Sequence, residues 1–342
     1  MTARQVTIED VARTAGVSRQ TVSNALNAPH RLRATTLARV TAAIDELGYQ
    51  PDQSARSLRT GTRKVIGYPA PADNPADPNP LMGGFLQALV SAADDVGHRI
   101  LLFRCDPQQG AGAVAKSFNG MIAARQVDGF VLSDVIHDDP RVDVLAEAGF
   151  PFAAFGRTAP GRPQNWVDID SAAATAALVG LLLEQGHRRI CYVNSAASLP
   201  WLADRRAGLL QAAAAAPDGA FEVSVPDDDP AALSHALRRL LVGGDRPTAL
   251  VCANDWLALT AYQAVRAAGL TVGTDVAVTG FNDMPLCTVL QPALTSVRMP
   301  LSGIAQALVD RLITAVEDPA ATPVSGLLVP AETVVRDSTP RR

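Results

Sequence analysis

The chain has 342 residues, of which 48% are hydrophobic and 19% are charged, and its formal net charge is −4. Domains typically hold about 100–200 residues, so this length predicts two or three domains, each with its own core. No apolar run reaches the roughly 18 residues that a membrane span needs. Acidic Glu9 and Asp10 lie where a signal peptide needs its apolar stretch, so we expect a cytoplasmic protein with no membrane partner.

The cysteines and histidines show no metal-binding pattern. Cys105, Cys191, Cys252 and Cys287 are far apart and form no CxxC or zinc spacing, and the five histidines show no metal spacing either. Free cysteines are usually buried. We therefore predict four buried thiols in a reducing compartment, no metal site and no cofactor.

Charge is distributed unevenly along the chain. Residues 1–64 hold ten lysines and arginines against five acids, about +5, whereas the remainder holds 20 against 29, or −9. A basic head on an acidic body suggests that the head binds an anion and the body does not. The alternative is a chance imbalance on a solvated surface.

Three short helices are predicted in the basic head. Thr7 suits the N-cap of the first, which ends at Gly16, and Ser18 suits the N-cap of the second. The third closes at Gly48, and all three carry apolar residues at helical spacing. Three short helices with one glycine-bearing turn are typical of a helix-turn-helix.

The second predicted helix has a polar face without acids. Arginine matches the O6/N7 edge of guanine, and glutamine or asparagine matches the N6/N7 edge of adenine. Arg19, Gln20 and Asn24 are therefore expected to read bases, while the hydroxyls and the helix N-terminus suit phosphates. An ordinary solvated face is the alternative. The side chains in question are Ser18, Arg19, Gln20, Thr21, Ser23, Asn24 and Asn27.

Residues 52–62 are predicted to form a linker with one or two helical turns. The stretch from Asp52 to Gly61 has no apolar stripe wide enough to dock on a core. Short helices without tertiary packing are marginal in water. We expect a flexible segment unless a partner orders it.

The head resembles the headpiece of the lac repressor family without a gap. The residues that carry the resemblance are Val6-Thr7-Ile8-Glu9-Asp10-Val11-Ala12, Ala15-Gly16-Val17-Ser18, Thr21-Val22-Ser23, Asn27, Leu47-Gly48-Tyr49-Gln50-Pro51 and Ala55-Arg56-Ser57-Leu58. The resemblance implies a dimeric regulator that binds operator double-stranded DNA. One departure is Arg33, which stands where the family usually has a Ser or Thr to cap the third helix; Thr35 is the expected substitute.

The resemblance also implies where DNA is contacted. The second helix would enter the major groove, and the linker would fold into a hinge helix that wedges Leu58 into the minor groove, where unstacking is repaid by bent DNA. The expected DNA-binding residues are Thr7, Ser18, Arg19, Gln20, Thr21, Ser23, Asn24, Asn27, Tyr49, Ala55 and Leu58.

From Val65 the pattern changes to short apolar runs separated by helical stretches. The predicted strands span 65–68, 99–103, 127–132, 152–155, 189–193, 249–253 and 276–280, and the predicted helices span 81–96, 171–185, 205–216 and 257–268. This alternation is typical of an α/β fold with parallel sheets covered on both faces. The length favours two subdomains, whose strand ends would share a ligand cleft.

This body resembles the same family. The resemblance rests on Gly156-Arg157, Gly186-His187-Arg188-Arg189-Ile190, Arg205 with Ala207-Gly208, Ala253-Asn254-Asp255, Gly280-Phe281-Asn282-Asp283, Leu294-Thr295-Ser296-Val297 and Val335-Arg336-Asp337-Ser338-Thr339. It implies two doubly wound subdomains, similar to periplasmic sugar-binding proteins, joined by three crossovers near 168–170, 291–295 and 322–326. The expected domains are a headpiece (1–51), a hinge (52–62) and a core (63–342), with an N-subdomain of about 63–168 and 293–323 and a C-subdomain of about 169–291 and 326–339.

Candidate effector contacts come from strand ends. Asparagine, aspartate and arginine side chains bind vicinal hydroxyls, and Trp201 and Trp256 suit stacking on a sugar ring. The alternatives are helix caps for the strand-end residues, core packing for the tryptophans and a stiff surface loop for the proline-rich segment 69–80, which otherwise lines the cleft mouth. The expected effector-binding residues are Asn79, Trp201, Arg205, Asn254, Asp255 and Asn282.

The sequence therefore predicts a repressor of a carbohydrate uptake or catabolism operon, released from a palindromic operator by a small sugar-like effector, as a homodimer or tetramer. A corepressed or activating member of the family that responds to a nucleobase is the alternative, because Asn282 and Met299 replace residues common in sugar-binding members. No GxGxxG follows the first strand, and no GxxxxGK[ST] or GxSxG supports an α/β enzyme. A sugar-binding protein for transport would lack the head and carry a signal peptide.

Overall fold

The computed structural model describes residues 6–49, 62–70, 80–158, 162, 164–195, 199–214, 220–225, 229–318 and 326–339. The chain divides into two compact units, Met1–Arg63 and Lys64–Arg342. Residues 52–61 of the predicted hinge, with Ala55 and Leu58, and the predicted ligand contact Asn79 lie outside the described residues. In the part of the chain that is described, no helix is long and apolar enough to cross a membrane.

The smaller unit is a bundle of three helices, as predicted. Thr7 forms a capping box with Asp10, and the Ser18 hydroxyl accepts a 3.1 Å hydrogen bond from the backbone N–H of Thr21, so both predicted N-caps are present. Arg33 occupies the N-cap of the third helix without a side-chain hydrogen bond. The helices are α1 (Ile8–Thr14), α2 (Arg19–Asn27) and α3 (Ala34–Leu47), with a 3-10 turn at Pro29–Arg31.

The larger unit holds two sheets, each described with six strands. Strands β1 (Val65–Ala70), β2 (Arg99–Arg104), β3 (Gly129–Leu132), β4 (Phe152–Phe155), β5 (Trp166–Ile169) and β11 (Leu327–Val329) form the sheet of the first lobe, in the order β11-β5-β4-β3-β1-β2. Strands β6 (Ile190–Ser195), β7 (Ala220–Val225), β8 (Ala249–Cys252), β9 (Ala277–Asn282), β10 (Thr295–Arg298) and β12 (Glu332–Val334) form the sheet of the second lobe, in the order β12-β10-β9-β8-β6-β7. Every described strand pair is parallel except β10 with β12.

Helices cover these sheets, which confirms the predicted α/β class. The first lobe carries α4 (Pro80–Asp95), α5 (Ala111–Ala123), α6 (Pro140–Glu147) and α12 (Leu301–Glu317). The second lobe carries α7 (Ser171–Glu184), α8 (Pro200–Ala213), α9 (Pro230–Leu241), α10 (Asp255–Ala267) and α11 (Leu286–Val289). Every residue of β3 and of β8 is buried, as strands covered on both faces require. The four cysteines are buried and free, as predicted.

The described chain passes between the lobes three times. The first passage follows β5, where it was predicted, but the second and third predictions, 291–295 and 322–326, are wrong. Strand β10 pairs in register with β9, from Thr295 opposite Thr279 to Arg298 opposite Asn282, so the second passage follows β10. Strand β11 pairs with β5 of the first lobe and β12 with β10 of the second, so the third lies between β11 and β12.

Candidate functional site

The three predicted base readers lie along one helix, α2. The side-chain amide of Gln20 donates a 3.1 Å hydrogen bond to Oδ1 of Asn24, which holds these two amides together. The guanidinium of Arg19 is exposed and lies 3.7 Å from the carboxylate of Glu9. Sequence reasoning missed this pairing, because the two residues belong to different helices.

The other predicted DNA contacts of the bundle already have local partners. The Ser18 and Thr21 hydroxyls lie 2.9 Å apart, and Asn27 donates a 2.7 Å hydrogen bond to the carbonyl of Ser23. Tyr49 is half-buried against the core of the bundle. The structure thus gives these residues a role in holding the reading helix, and their contact with DNA stays a prediction.

The middle of the bundle, residues 11–44, is basic. No acidic residue occurs between Asp10 and Asp45. The exposed cationic side chains in this stretch are Arg13, Arg19, Arg31, Arg33 and Arg39. Phosphate neutralisation by such side chains supplies much of the affinity of a protein for DNA.

A cleft lies between the two lobes and is open to solvent. Strand ends and helix starts from both lobes form its wall, which is the expected position for a ligand in parallel sheets. Residues that line it include Leu81, Met82, Asp134, Val135, Phe155, Arg157, Asp168, Trp201, Arg205, Asn254, Trp256, Asn282, Met284 and Met299.

Arg205 enters this cleft from α8 and is only 4% exposed. Its guanidinium lies 4.4 Å from the ring centroid of Trp201 and 3.5 Å from that of Phe281. It donates to the carbonyl of Ala253 and, at 3.4 Å, to Oδ1 of Asn282. Its Nε has no hydrogen-bond partner among the described residues. Burial lowers the pKa of Arg205 to about 10, which keeps the side chain charged at neutral pH.

Asn254 and Asn282 follow neighbouring strands and both line the cleft, as predicted. Asn254 also caps α10, since its Oδ1 accepts a 2.8 Å hydrogen bond from the N–H of Leu257. The cap uses the oxygen, and the amide N–H groups are the part suited to a ligand. The cap alternative for Asn254 is therefore correct, and it is compatible with ligand contact.

The prediction that Asp255 contacts the effector directly is wrong. Its side chain is fully buried, and both oxygens are engaged, by the N–H of Met284 at 2.8 Å and the hydroxyl of Ser296 at 2.5 Å. A Cβ at Gly280 would lie 2.1 Å from its Oδ1, so the glycine makes room for the carboxylate. Burial raises the pKa of Asp255 to about 6. Asp255 braces the loop after β9 instead.

Sequence reasoning missed a charged group that spans the cleft. Arg157, just after β4, donates a 2.9 Å hydrogen bond to Asp168 of the same lobe and also pairs with Asp204 of the other lobe. The guanidinium lies 5.1 Å from the ring centroid of Trp166. Burial raises the pKa of both carboxyl groups. The available signal was the strand-end position of Arg157, the same signal that indicated Asn254.

The comparisons with known proteins agree with this architecture. Residues 7–52 match the family described as "Bacterial regulatory proteins, lacI family", and residues 179–339 match a periplasmic binding protein-like domain. The regulator AglR of Rhizobium meliloti (strain 1021) is 31% identical, over 98% of this chain and 94% of its own length. CelR of Thermobifida fusca is 31% identical, over 92% of this chain and 94% of its own length. The repressor PurR of Yersinia pestis bv. Antiqua (strain Antiqua) is 29% identical, over 96% of this chain and 96% of its own length.

Solved structures give the same result. The lac repressor dimer bound to operator and the anti-inducer ONPF matches with a TM-score of 0.80 and 26% identity, over 98% of this chain and 99% of that chain. The complex of transcriptional regulator CelR with cellobiose matches with a TM-score of 0.69 and 27% identity, over 98% and 100%.

A helix-turn-helix unit and a two-lobed cleft in one chain define a DNA-binding transcriptional regulator with an effector domain of the sugar-binding type. The fold and the full-length relatives agree on the family. The chain belongs to the lacI family of bacterial regulatory proteins.

Proposed function

We propose that this regulator is a homodimeric repressor of a carbohydrate operon. It leaves a near-palindromic operator when a small sugar-like effector binds between the lobes, and it acts by binding alone, without catalysis. The observation that carries the proposal is Arg205, a nearly buried guanidinium at the cleft whose Nε lacks a partner among the described residues. A buried donor without a partner is costly, and a ligand oxygen would satisfy it.

The composition of the cleft supports a sugar. Amide groups at Asn254 and Asn282 supply donors for hydroxyl groups, and Trp201 and Trp256 supply aromatic faces. A relative crystallised with cellobiose has this fold. We propose Trp201, Arg205, Asn254 and Asn282 as effector contacts.

The second candidate is a member that uses a nucleobase as corepressor or coactivator. The two tryptophans of the cleft favour it, since a planar base stacks on an aromatic ring as well as a sugar does. The change in operator affinity when the effector is added separates the two candidates, because a corepressor strengthens operator binding and an inducer weakens it.

We propose that DNA is read through α2, with Arg19, Gln20 and Asn24 on base edges and the residues around them on phosphates. Two reading helices of a dimer bind half-sites about one DNA turn apart, ~34 Å. Each well-placed amide or guanidinium contact discriminates by about 1–3 kcal/mol. Gln20→Ala should therefore relax specificity at one position of each half-site.

The test starts with operator selection from a random duplex library by the full-length protein, followed by footprinting. The expected site is near-palindromic. The logarithm of the operator-binding constant should fall linearly with the logarithm of the salt concentration, with a slope of about 0.9 per neutralised phosphate. Gln20→Ala should weaken binding, whereas Thr41→Ala, a control at an exposed position of α3, should not. A single unpaired half-site or a flat salt response would contradict the proposal. Release of the selected operator by cellobiose, maltose or melibiose, against hypoxanthine and guanine, then tests the effector class.

A further inference from the structure

An ion pair links the start of α1 to the start of the reading helix α2. The carboxylate Oε1 of Glu9 lies 3.7 Å from Nη1 of Arg19, and the two side chains are 68% and 69% exposed. Glu9 lies in the first turn of α1, and Arg19 is the first residue of α2. Both helix starts are held by N-caps, the capping box of Thr7 and the hydroxyl of Ser18. The backbones that carry the two charges are therefore fixed next to each other.

Arg19 needs a countercharge at this position. A helix N-terminus carries a partial positive charge, which disfavours a guanidinium in the first turn. The first turn of α2 contains no acid of its own. Glu9 supplies the negative charge from α1, whereas its neighbour Asp10 is engaged by the capping box and by an ion pair with Arg13 on its own helix. Glu9 is thus the partner that the electrostatics of α2 require for Arg19.

The carboxylate of Glu9 affects the two kinds of DNA acceptor differently. Guanine presents two uncharged acceptors, O6 and N7, and an arginine has five N–H donors, so Arg19 has enough donors to bind both while it stays near Glu9. A phosphate is an anion, so the same carboxylate repels it and offsets the charge with which Arg19 would neutralise it. Contacts of Arg19 with phosphates are therefore weakened more than its contacts with guanine, and specificity is a difference of this kind.

We propose that Glu9 is a specificity-determining residue that acts through Arg19. It positions the guanidinium for base reading and lowers its affinity for phosphates, so it weakens binding to unrelated DNA more than binding to the operator. This inference rests on the proposed reading of bases by Arg19 and adds to it a residue from outside the reading helix.

The experiment compares the full-length wild-type protein with Glu9→Gln, Arg19→Ala and the double variant, which together form a double-mutant cycle. Selection from a random duplex library gives the base that each protein prefers at every position of the half-site. Titrations over a range of salt concentrations give the affinity for the selected operator and for a duplex of scrambled sequence. Glu46→Gln is the matched control, because it makes the same change of charge at an exposed position of α3.

Arg19→Ala should lose the preference for guanine at one position of each half-site. Glu9→Gln should lower that preference about twofold to fivefold, as loss of an exposed ion pair does. It should also raise the affinity for the scrambled duplex and steepen the salt dependence of that affinity by about 0.9, the slope for one further phosphate. Glu46→Gln should leave the preference unchanged, and Glu9→Gln should have no further effect on it in the Arg19→Ala background.

Three results overturn this inference and leave the proposed function standing. They are an unchanged preference in Glu9→Gln, an equal effect of Glu46→Gln, which would assign the effect to net charge, and an effect of Glu9→Gln that persists without Arg19, which would show that Glu9 acts on DNA directly. Retention of every base preference in Arg19→Ala overturns both the inference and the proposed role of Arg19. Failure to select any operator overturns the proposed function as well.

Discussion

Arg205, the proposed effector contact, is held by several parts of the second lobe. It contacts groups after two strands, Ala253 and Asn282, and stacks between Trp201 and Phe281, so its position depends on the whole end of the second sheet. An effector releases DNA only by binding one conformation more tightly than the other. If Arg205 binds the effector as proposed, its position couples the ligand to the arrangement of the second lobe.

We expect Arg205→Ala to weaken effector binding tenfold or more, because a charge-assisted hydrogen bond is worth about 1.5–3 kcal/mol. Operator affinity without effector should stay at the wild-type value. Arg206→Ala, an exposed neighbour on the same helix, serves as the control. Gel-shift titrations with and without effector measure both quantities. Release of Arg205→Ala at the wild-type effector concentration would show that the residue is only structural.

The buried carboxyl group of Asp255 predicts a pH dependence of stability. Its pKa is raised to about 6 in the folded protein, so the stability it contributes is fully present below its ordinary pKa of 3.8 and is lost as pH rises through about 6. Asp255→Asn mimics the protonated form. It should raise the free energy of unfolding at pH 7 relative to wild type, by up to ~3 kcal/mol for two pKa units, and this gain should vanish near pH 4.

Chemical denaturation at pH 4, 5, 6 and 7 measures this difference. Asp245→Asn is the control, because Asp245 is fully exposed and its variant should show no such trend. An equal effect of Asp255→Asn at all four pH values would contradict the assignment.

Polar residues at strand ends allowed part of the cleft lining to be predicted from the sequence. Whether such a residue lines the cleft or is buried depends on its contacts in the folded protein. Asn254 and Asn282 were visible because amides at strand ends suit a ligand, and Arg205 because a guanidinium on the first turns of a predicted helix does. Asp255 also follows a strand, but its carboxylate is buried and accepts a hydrogen bond from the hydroxyl of Ser296, which lies 41 residues away in the sequence. Sequence spacing carries no record of such a contact, so it did not separate a ligand contact from an internal brace.

At the scale of elements, α7 and α8 pack closely because of one glycine. A Cβ on Gly208 of α8 would lie 2.1 Å from the carbonyl oxygen of Ala172 in α7. Gly208 lies one turn after Arg205, so the same close packing positions the cleft arginine. A larger residue there would separate the two helices and displace Arg205.

We expect Gly208→Ala to lower stability by at least about 1–3 kcal/mol, the usual cost of overpacking, and to weaken effector binding as well. Gly180→Ala is the matched control in α7, where an added Cβ meets nothing within 4 Å. It should stabilise the protein by about 0.5–1 kcal/mol, since alanine favours a helix interior over glycine. Thermal unfolding compares the two variants, and equal melting temperatures would refute the packing argument.

The sequence predicted strands with a clear apolar run, and it missed the internal strands β5 and β10 as well as the edge strands β7, β11 and β12. Each predicted strand has a counterpart in the structure, because continuous apolar runs such as Phe152–Phe155 mark strands covered on both faces. Strands β11 and β12 have only three residues each and lie at sheet edges with exposed positions, so they leave no such run. The second passage was misplaced because the internal strand β10 was not predicted, and the third because β11 and β12 were not. Helix α8 begins at Pro200 rather than at 205, and proline at the first turn was the unused signal.

At the scale of the larger unit, the two lobes are joined by three strand connections and by the ion pair of Arg157 with Asp204. Chain connections of this kind form the hinge in two-lobed proteins that close around a ligand. The ion pair links the two lobes directly, and its side chains are 30% and 32% exposed. Partly exposed pairs are worth about 0.2–1 kcal/mol, enough to bias a hinge without locking it.

Asp204→Asn should therefore loosen the closed form of the cleft without unfolding the protein, because Arg157 keeps Asp168 as a partner and no charge is left unpaired. Where the effector binds the closed form, its affinity should fall up to about fivefold, the equivalent of 1 kcal/mol, and the loss should shrink in high salt as the pair is screened. Asp143→Asn is the control, since it removes a comparable pair with Arg162 inside the first lobe. Calorimetry with the neutral disaccharide that binds the wild-type protein best, at low and high salt, makes the comparison. Equal behaviour of the two variants would show that the pair across the cleft does not govern closure.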